Sequence, residues 1–330
     1  MIDLQSGRVI SKLLIFVIIL SVAALGVYIG ASNYESVNKI KTIFISEPII
    51  YKEKELVLKT DKTIGELGTN LTLPQTIVTN GFNLNIKANK LMSSGSQIKI
   101  ISFLSDAKAG ISGSTGKNGA NGRNGDGGNG QQGSKGSSGL SGQNGKDAGS
   151  ILIHAEKLHA NISIINKGQS GGNGGTGGNG GFGGDGGLGR SSKSGAGILG
   201  IGDCKSGPGR GGTAGSGGNG GNGGNGGDSG KSGIVKISVN SIKEGVRIFA
   251  DTNSGLSGVG GQGGRGGKAG SPGAEGRSIG FCRPAGRRGA AAPNGYNGEK
   301  GIDGSIVNPT EIMLEIGEEK LHDVGTIVYP

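Results

Sequence analysis

The sequence predicts a mainly β chain with polyglycine-II character. A small parallel β-solenoid-like base carries a bundle of about six polyglycine-II helices, preceded by one N-terminal transmembrane helix. Three observations predict this. Glycine falls at every third position from 209 to 233, deepening to Gly-Gly-Asn triplets between 217 and 227. An apolar strand pattern recurs downstream with an 84-residue offset, from 151 to 235. Residues 13–30 are uncharged and almost wholly apolar. A period of three suits neither an α-helix nor a strand, and it matches a polyproline-II-type screw with three residues per turn.

Composition bounds the reading. Glycine supplies 76 of 330 residues and proline only 8, so ordinary collagen is not indicated. With 5 Tyr, 7 Phe and no Trp, one large hydrophobic core is not expected. The net charge of +10 leans toward anionic partners, and nucleic acid is not expected among them.

Residues 1–12 are expected in the cytoplasm, held there by Arg8 and Lys12. Residues 13–31 are read as a transmembrane signal anchor, so the membrane is a partner through 13–30. The bulk of the chain is then expected in the periplasm or extracellular space as a single-pass protein. A cleaved signal peptide, with a small-x-small site at Ala24-Leu25-Gly26, is the rival reading.

Residues 32–75 are expected to form a linker and a first β region, and 76–330 the base with its hairpins. The base is assigned to 76–105, 149–167, 233–253 and 305–330. Its signature is apolar-x-apolar-x-small-x-x-apolar: Leu84, Ile86, Ala88, Leu91, then Ile151, Ile153, Ala155, Leu158, then Val235, Ile237, Val239, Ile242. A looser fourth copy reads Ile312, Leu314, Ile316, Leu321. The same offset aligns Ile162 with Val246 and Ile164 with Ile248. Alternation buries one face of a strand, and such strands need stacked neighbours.

The glycine-rich hairpins span 110–148, 168–232 and 255–304, each as two period-three arms around a break. In the first, glycine runs from 110 to 128 and then slips phase by one residue. Polyglycine-II rods lack internal hydrogen bonds and must pair with neighbours, so glycine stands where two backbones meet. A Gly-x-y rod has one bare edge and a Gly-Gly-x rod two. Both arms of the second hairpin and the first arm of the third are therefore expected inside, with Asn, Lys, Arg and Asp outward. A disordered linker has no reason to keep phase through nine triplets.

These Gly-Gly-x arrays resemble the polyglycine-II sandwich domains of T-even-like phage distal tail-fibre adhesins and snow flea antifreeze protein. The resemblance covers roughly 110–304 and implies a rod bundle whose tips carry recognition. A looser similarity to collagen-like bacterial surface proteins is strongest at Gly295-Tyr296-Asn297-Gly298-Glu299-Lys300-Gly301.

The two cysteines, Cys204 and Cys282, lie in the breaks of adjacent hairpins, and a disulfide between them is expected in an exported protein. The breaks are also basic. Arg190, Lys193, Lys205 and Arg210 mark one; Arg277, Phe281, Arg283, Arg287 and Arg288 mark the other. The expectation is a non-enzymatic, membrane-anchored structural or adhesive protein. Its tips would take an anionic glycan, lipopolysaccharide or a protein ligand. A monomer is favoured over a trimer. A collagen-like trimeric spacer is the alternative, ice binding a second, and an envelope enzyme a third. No catalytic residue, cofactor or metal is nominated. The run Gly227-Asp228-Ser229-Gly230-Lys231-Ser232 lacks the first glycine of a phosphate loop, and His154, His159 and His322 form no metal-binding spacing.

Overall fold

The computed structural model describes residues 47–195, 203–280, 282 and 286–330. Its strands are β1 (Ile49–Ile50), β2 (Glu55–Val57), β3 (Lys62–Ile64), β4 (Asn70–Leu73), β5 (Thr76–Val78), β6 (Leu84–Ser93), β7 (Gln97–Ile101), β8 (Ile151–Leu158) and β9 (Asn161–Ile165). They continue as β10 (Lys193–Ser194), β11 (Cys204–Ser206), β12 (Val235–Ile242), β13 (Ile248–Asp251), β14 (Glu311–Ile316), β15 (Glu319–Val324) and β16 (Thr326–Tyr329).

The base is two stacked sheets. The first, of eight strands, runs β1-β4-β6-β8-β12-β14-β15 with β3 also on β6. The second, of six, runs β16-β13-β9-β7-β5-β2. Parallel pairing fixes the first sheet in one register: Leu84, Ile151, Val235 and Ile312 align, as do Ile86, Ile153, Ile237 and Leu314. These side chains are at most 2% exposed and meet Ile98, Ile100, Ile162, Ile164 and Ile248 of the second sheet. Each such aliphatic residue contributes on the order of 1.5–3 kcal/mol by leaving water.

The expected fold class is corrected here. The described chain is β-rich, contains no helix, and has no helix long and apolar enough to cross a membrane. The transmembrane helix expected at 13–31, and with it the membrane partner at 13–30, lies outside the described residues. Nor is the base a uniform parallel solenoid. The sheets are mixed, because β14 pairs antiparallel with β15 and β13 antiparallel with β16. The reversals occur at Gly317 and Gly325, whose positive φ of 57° and 94° lets the chain double back. Leu321 consequently sits on β15 opposite Leu314, and not at the end of a fourth repeat. Strands β1 to β5, within 49–78, pair directly into the same two sheets.

The 84-residue offset is the pairing register of β8 with β12. It does not extend to the second sheet, where Ile162 pairs with Ile248 and Ile164 with Ala250. The connection 243–246 is two residues longer than 159–160, with Gly245 at φ 77° in the turn, so the offset becomes 86.

Between the strands run six glycine-rich rods: r1 (107–124), r2 (128–148), r3 (168–190), r4 (209–233), r5 (255–277) and r6 (286–305). None has helical or strand hydrogen bonding of its own. Rods r1, r3 and r5 continue the layer of the second sheet; r2, r4 and r6 lead into the first. Within a layer, r3 donates to r5 from Gly174, Gly177 and Gly180, with N···O distances of 2.8 Å. Across layers, Gly218, Gly221 and Gly224 of r4 donate to Gly181, Gly178 and Gly175 of r3, also at 2.8 Å. Rods r3 and r4 each exchange bonds with four neighbours, r1 and r6 with two.

Where sheets become rods, the interior turns polar. Thr79, Ser102, Asn166 and Thr252 follow the last core positions of β5, β7, β9 and β13 and are at most 2% exposed. Asn166 Nδ2 donates to Gly149 O at 2.9 Å, Ser102 Oγ to Lys167 O at 2.5 Å and Thr252 Oγ1 to Thr310 O at 2.6 Å. Side chains that separate the two sheets give way here to backbones in direct contact. The carbonyls that lose a strand partner at this step receive a side-chain donor instead.

Candidate functional site

The candidate site is the end of the bundle away from the base, and the rods build it by ending at different levels. The first hairpin stops early. Gly125 and Gly127 both donate to Leu188 O, at 2.8 and 3.0 Å, and positive φ at both glycines closes the turn. The phase slip in the glycine register after 125 is this turn. The second and third hairpins continue past it.

Beyond that step the two longer hairpins are joined. Cys204 and Cys282 form a disulfide with Cα atoms 5.0 Å apart. Cys282 is fully buried, while Cys204 lies on β11, paired antiparallel with β10. Buried Ser192 ties the same two tips: its N–H donates to Arg277 O at 2.9 Å, and its Oγ accepts the Ile279 N–H at 2.6 Å.

The basic residues fall around these links. Gly209 N–H donates to Arg190 O at 2.7 Å, and Gly211 N–H to Arg287 O at 2.8 Å. Arg190, Arg210, Arg277 and Arg287 therefore share one end, with exposed side chains. Arg288 follows on r6, while Lys193 and Lys205 sit on the β10–β11 hairpin, all three exposed. Phe281 and Arg283, like the apolar run 198–201, lie outside the described residues. Among the described residues none of these seven cations forms an ion pair. The acids at this end are Asp126, Asp203 and Glu275, all exposed.

Two groups escaped the sequence reading. Arg123 and Asp126 belong to this end because the first hairpin turns at 124–127, a position the phase slip marks. The rod asparagines also do more than face outward. Asn219, Asn222 and Asn225 accept, through Oδ1, the backbone N–H groups of Tyr296, Glu299 and Ile302 at 3.0–3.2 Å. Asn173 and Asn179 do the same for Val259 and Arg265. In both the Gly-Gly-x rod r5 and the Gly-x-y rod r6, the N–H of the non-glycine residue that follows a glycine meets an asparagine of the adjacent rod instead of a backbone carbonyl.

The Gly-Asp-Ser-Gly-Lys-Ser run lies inside r4, where the Asp228 N–H is bound by Asn144 and Ser229 Oγ accepts from Val307. Those contacts make it part of the rod. No family model and no curated protein matches the chain. Among solved structures the chain is similar to a springtail antifreeze protein from Granisotoma rainieri, described as a nine polyproline type II helical bundle. Identity is 24%, over 54% of this chain and 98% of that one, with a TM-score of 0.09, a value that carries no argument.

Proposed function

We propose that this is an exported, non-enzymatic structural and adhesive protein whose rods present a basic distal end to an anionic surface ligand. The observation that carries the reading is the gathering of seven exposed cations from two hairpins, none ion-paired among the described residues, onto one disulfide-pinned end. Arginine forks suit carboxylate and phosphate groups, and cations without internal partners leave a field for an anion to fill. The disulfide supports an oxidising compartment outside the cytoplasm. The ligand classes are an anionic glycan, lipopolysaccharide phosphate or an acidic protein.

The test is binding of inorganic polyphosphate to the protein with Arg287→Glu and Arg288→Glu. We expect about a tenfold or greater loss, and a wild-type affinity that falls steeply with added salt, as screened exposed charges require. Salt-independent binding that survives both charge reversals would overturn the reading.

A further inference from the structure

The step left by the short first hairpin forms an open cleft of about 570 Å³. Its floor is glycine backbone from 125–127 and 209–211, and its polar side chains are Asp126, Asn129, Arg190, Arg210 and Thr213. The glycine donors of that floor are engaged. Gly125 and Gly127 are bound to Leu188 O, Gly209 to Arg190 O and Gly211 to Arg287 O. Asn129 Oδ1 is likewise engaged, accepting the Thr213 N–H at 3.0 Å. What the cleft offers a ligand is two guanidinium groups, one carboxylate, the Asn129 amide N–H groups and the Thr213 hydroxyl.

Arg190, Arg210 and Asp126 share this cleft, yet among the described residues none of them forms an ion pair. A bare anion such as phosphate satisfies only the arginines and is repelled by Asp126. A cation does the reverse. The complementary ligand carries a carboxylate and hydrogen-bond donors on one small frame. From this, and resting on the reading of the distal end as a binding surface, we infer that the cleft is a subsite for an acidic saccharide unit of the hexuronate type. The sugar carboxylate lies between Arg190 and Arg210, which can each grip it through two N–H groups. Adjacent sugar hydroxyls donate to Asp126, and Thr213 and Asn129 supply the remaining polar contacts. The cleft is open to solvent, which leaves room for the unit to belong to a longer polysaccharide.

The distinguishing variant is Asp126→Asn. Removing this negative charge makes the end more basic, so binding driven by charge alone strengthens. Binding that uses the carboxylate as an acceptor for sugar hydroxyls weakens. We therefore measure oligogalacturonate and inorganic polyphosphate binding by calorimetry on the full chain. The variants are D126N and Arg190→Ala with Arg210→Ala, with circular dichroism and disulfide content checked for each. The expected result is that wild type binds oligogalacturonate and D126N binds it about tenfold more weakly, while polyphosphate affinity in D126N is unchanged or higher. The double arginine variant loses oligogalacturonate binding. Wild type failing to bind oligogalacturonate, or D126N binding both probes at least as tightly as wild type, overturns the subsite. The wider reading of the distal end is judged separately, by polyphosphate binding to R287E/R288E.

Discussion

At Gly221 a hydrogen atom stands where any other side chain would drive a Cβ into the Ser137 carbonyl oxygen of r2, well inside 3.0 Å. Its neighbour Gly220 meets the Gly264 carbonyl of r5 in the same way. The pair is glycine twice because r4 is approached on two edges, and both obstacles are backbone that cannot swing aside. Gly221→Ala is expected to destabilise the bundle by about 3 kcal/mol, the upper range for overpacking. Asn222→Ala removes only an exposed clamp on Glu299 N–H and should cost about 1 kcal/mol or less. Chemical denaturation of the two variants compares them directly.

Single residues also set the acid response. The Gly260 N–H and then Lys300 hold the Asp303 carboxyl below the usual range, and the Asn83 backbone and side chain do so for Asp61. Partial desolvation, followed by Lys90, Lys243 and Lys157, lowers His159. All three are folded-state depressions, so the unfolded chain binds more protons and stability rises with pH. The carboxylate contributions are complete above about pH 4 and lost as pH falls through the folded values. That of His159 is complete above about pH 6.5 and fades below it. Melting temperature should therefore hold above neutrality and decline on acidification. His159→Gln should flatten the slope between about pH 7 and 5, and an unchanged slope would remove His159 from the explanation.

At the scale of elements, one register runs through strand and rod alike. Rod r2 meets r4 at an offset of 84, as β8 meets β12; r3 meets r5 at 86, as β9 meets β13. Rods r4 and r6 keep 77, the offset of β12 and β14. The base therefore sets the rod register, and the tips inherit it. On this account the Cys204–Cys282 bond fastens an end that the rods have already aligned. Replacing both cysteines by serine should lower stability by about 2–4 kcal/mol. Hydrogen exchange should then quicken in 190–195, 203–209 and 276–280 while the rods stay protected. Loss of protection along r3 to r5 would mean that the disulfide organises the bundle.

At the scale of the molecule, both sides of the rod bundle are closed by side chains. On one side Ser134 and Ser137 accept the N–H groups of Lys117 and Ser114, each at 2.6 Å. On the other, Asn294, Asn297 and Asp303 accept those of Ala269, Gly266 and Gly260. Edge donors held in this way offer little to a further rod. The first sheet ends on β15, where Glu319 and Asp323 stand opposite Ile316 and Ile312, charges unsuited to another parallel strand. The expectation is a single-chain mass in light scattering at all working concentrations. A trimer would restore the collagen-like alternative.

Some of this was legible in the chain. Period-three glycine follows from a local need, a bare edge wherever backbones touch, and the sequence carries it openly. Strand alternation at Ile151, Ile153 and Val235, Ile237 is equally local, and the β8–β12 register is written as an 84-residue repeat. The two basic breaks and the cysteine pair were visible for the same reason.

What only the tertiary structure decided is which segment neighbours which. Two extra residues before β13 changed an offset from 84 to 86, the C-terminal glycines folded Leu321 back beside Leu314, and the mixed sheets replaced a uniform solenoid. The asparagine clamps made by r3 and r4, and the cleft joining Asp126 to Arg190 and Arg210, arise between residues 64 to 86 positions apart. Local sequence states what a backbone edge requires. Turn lengths and layer stacking choose the partner that meets it, and that choice is long-range.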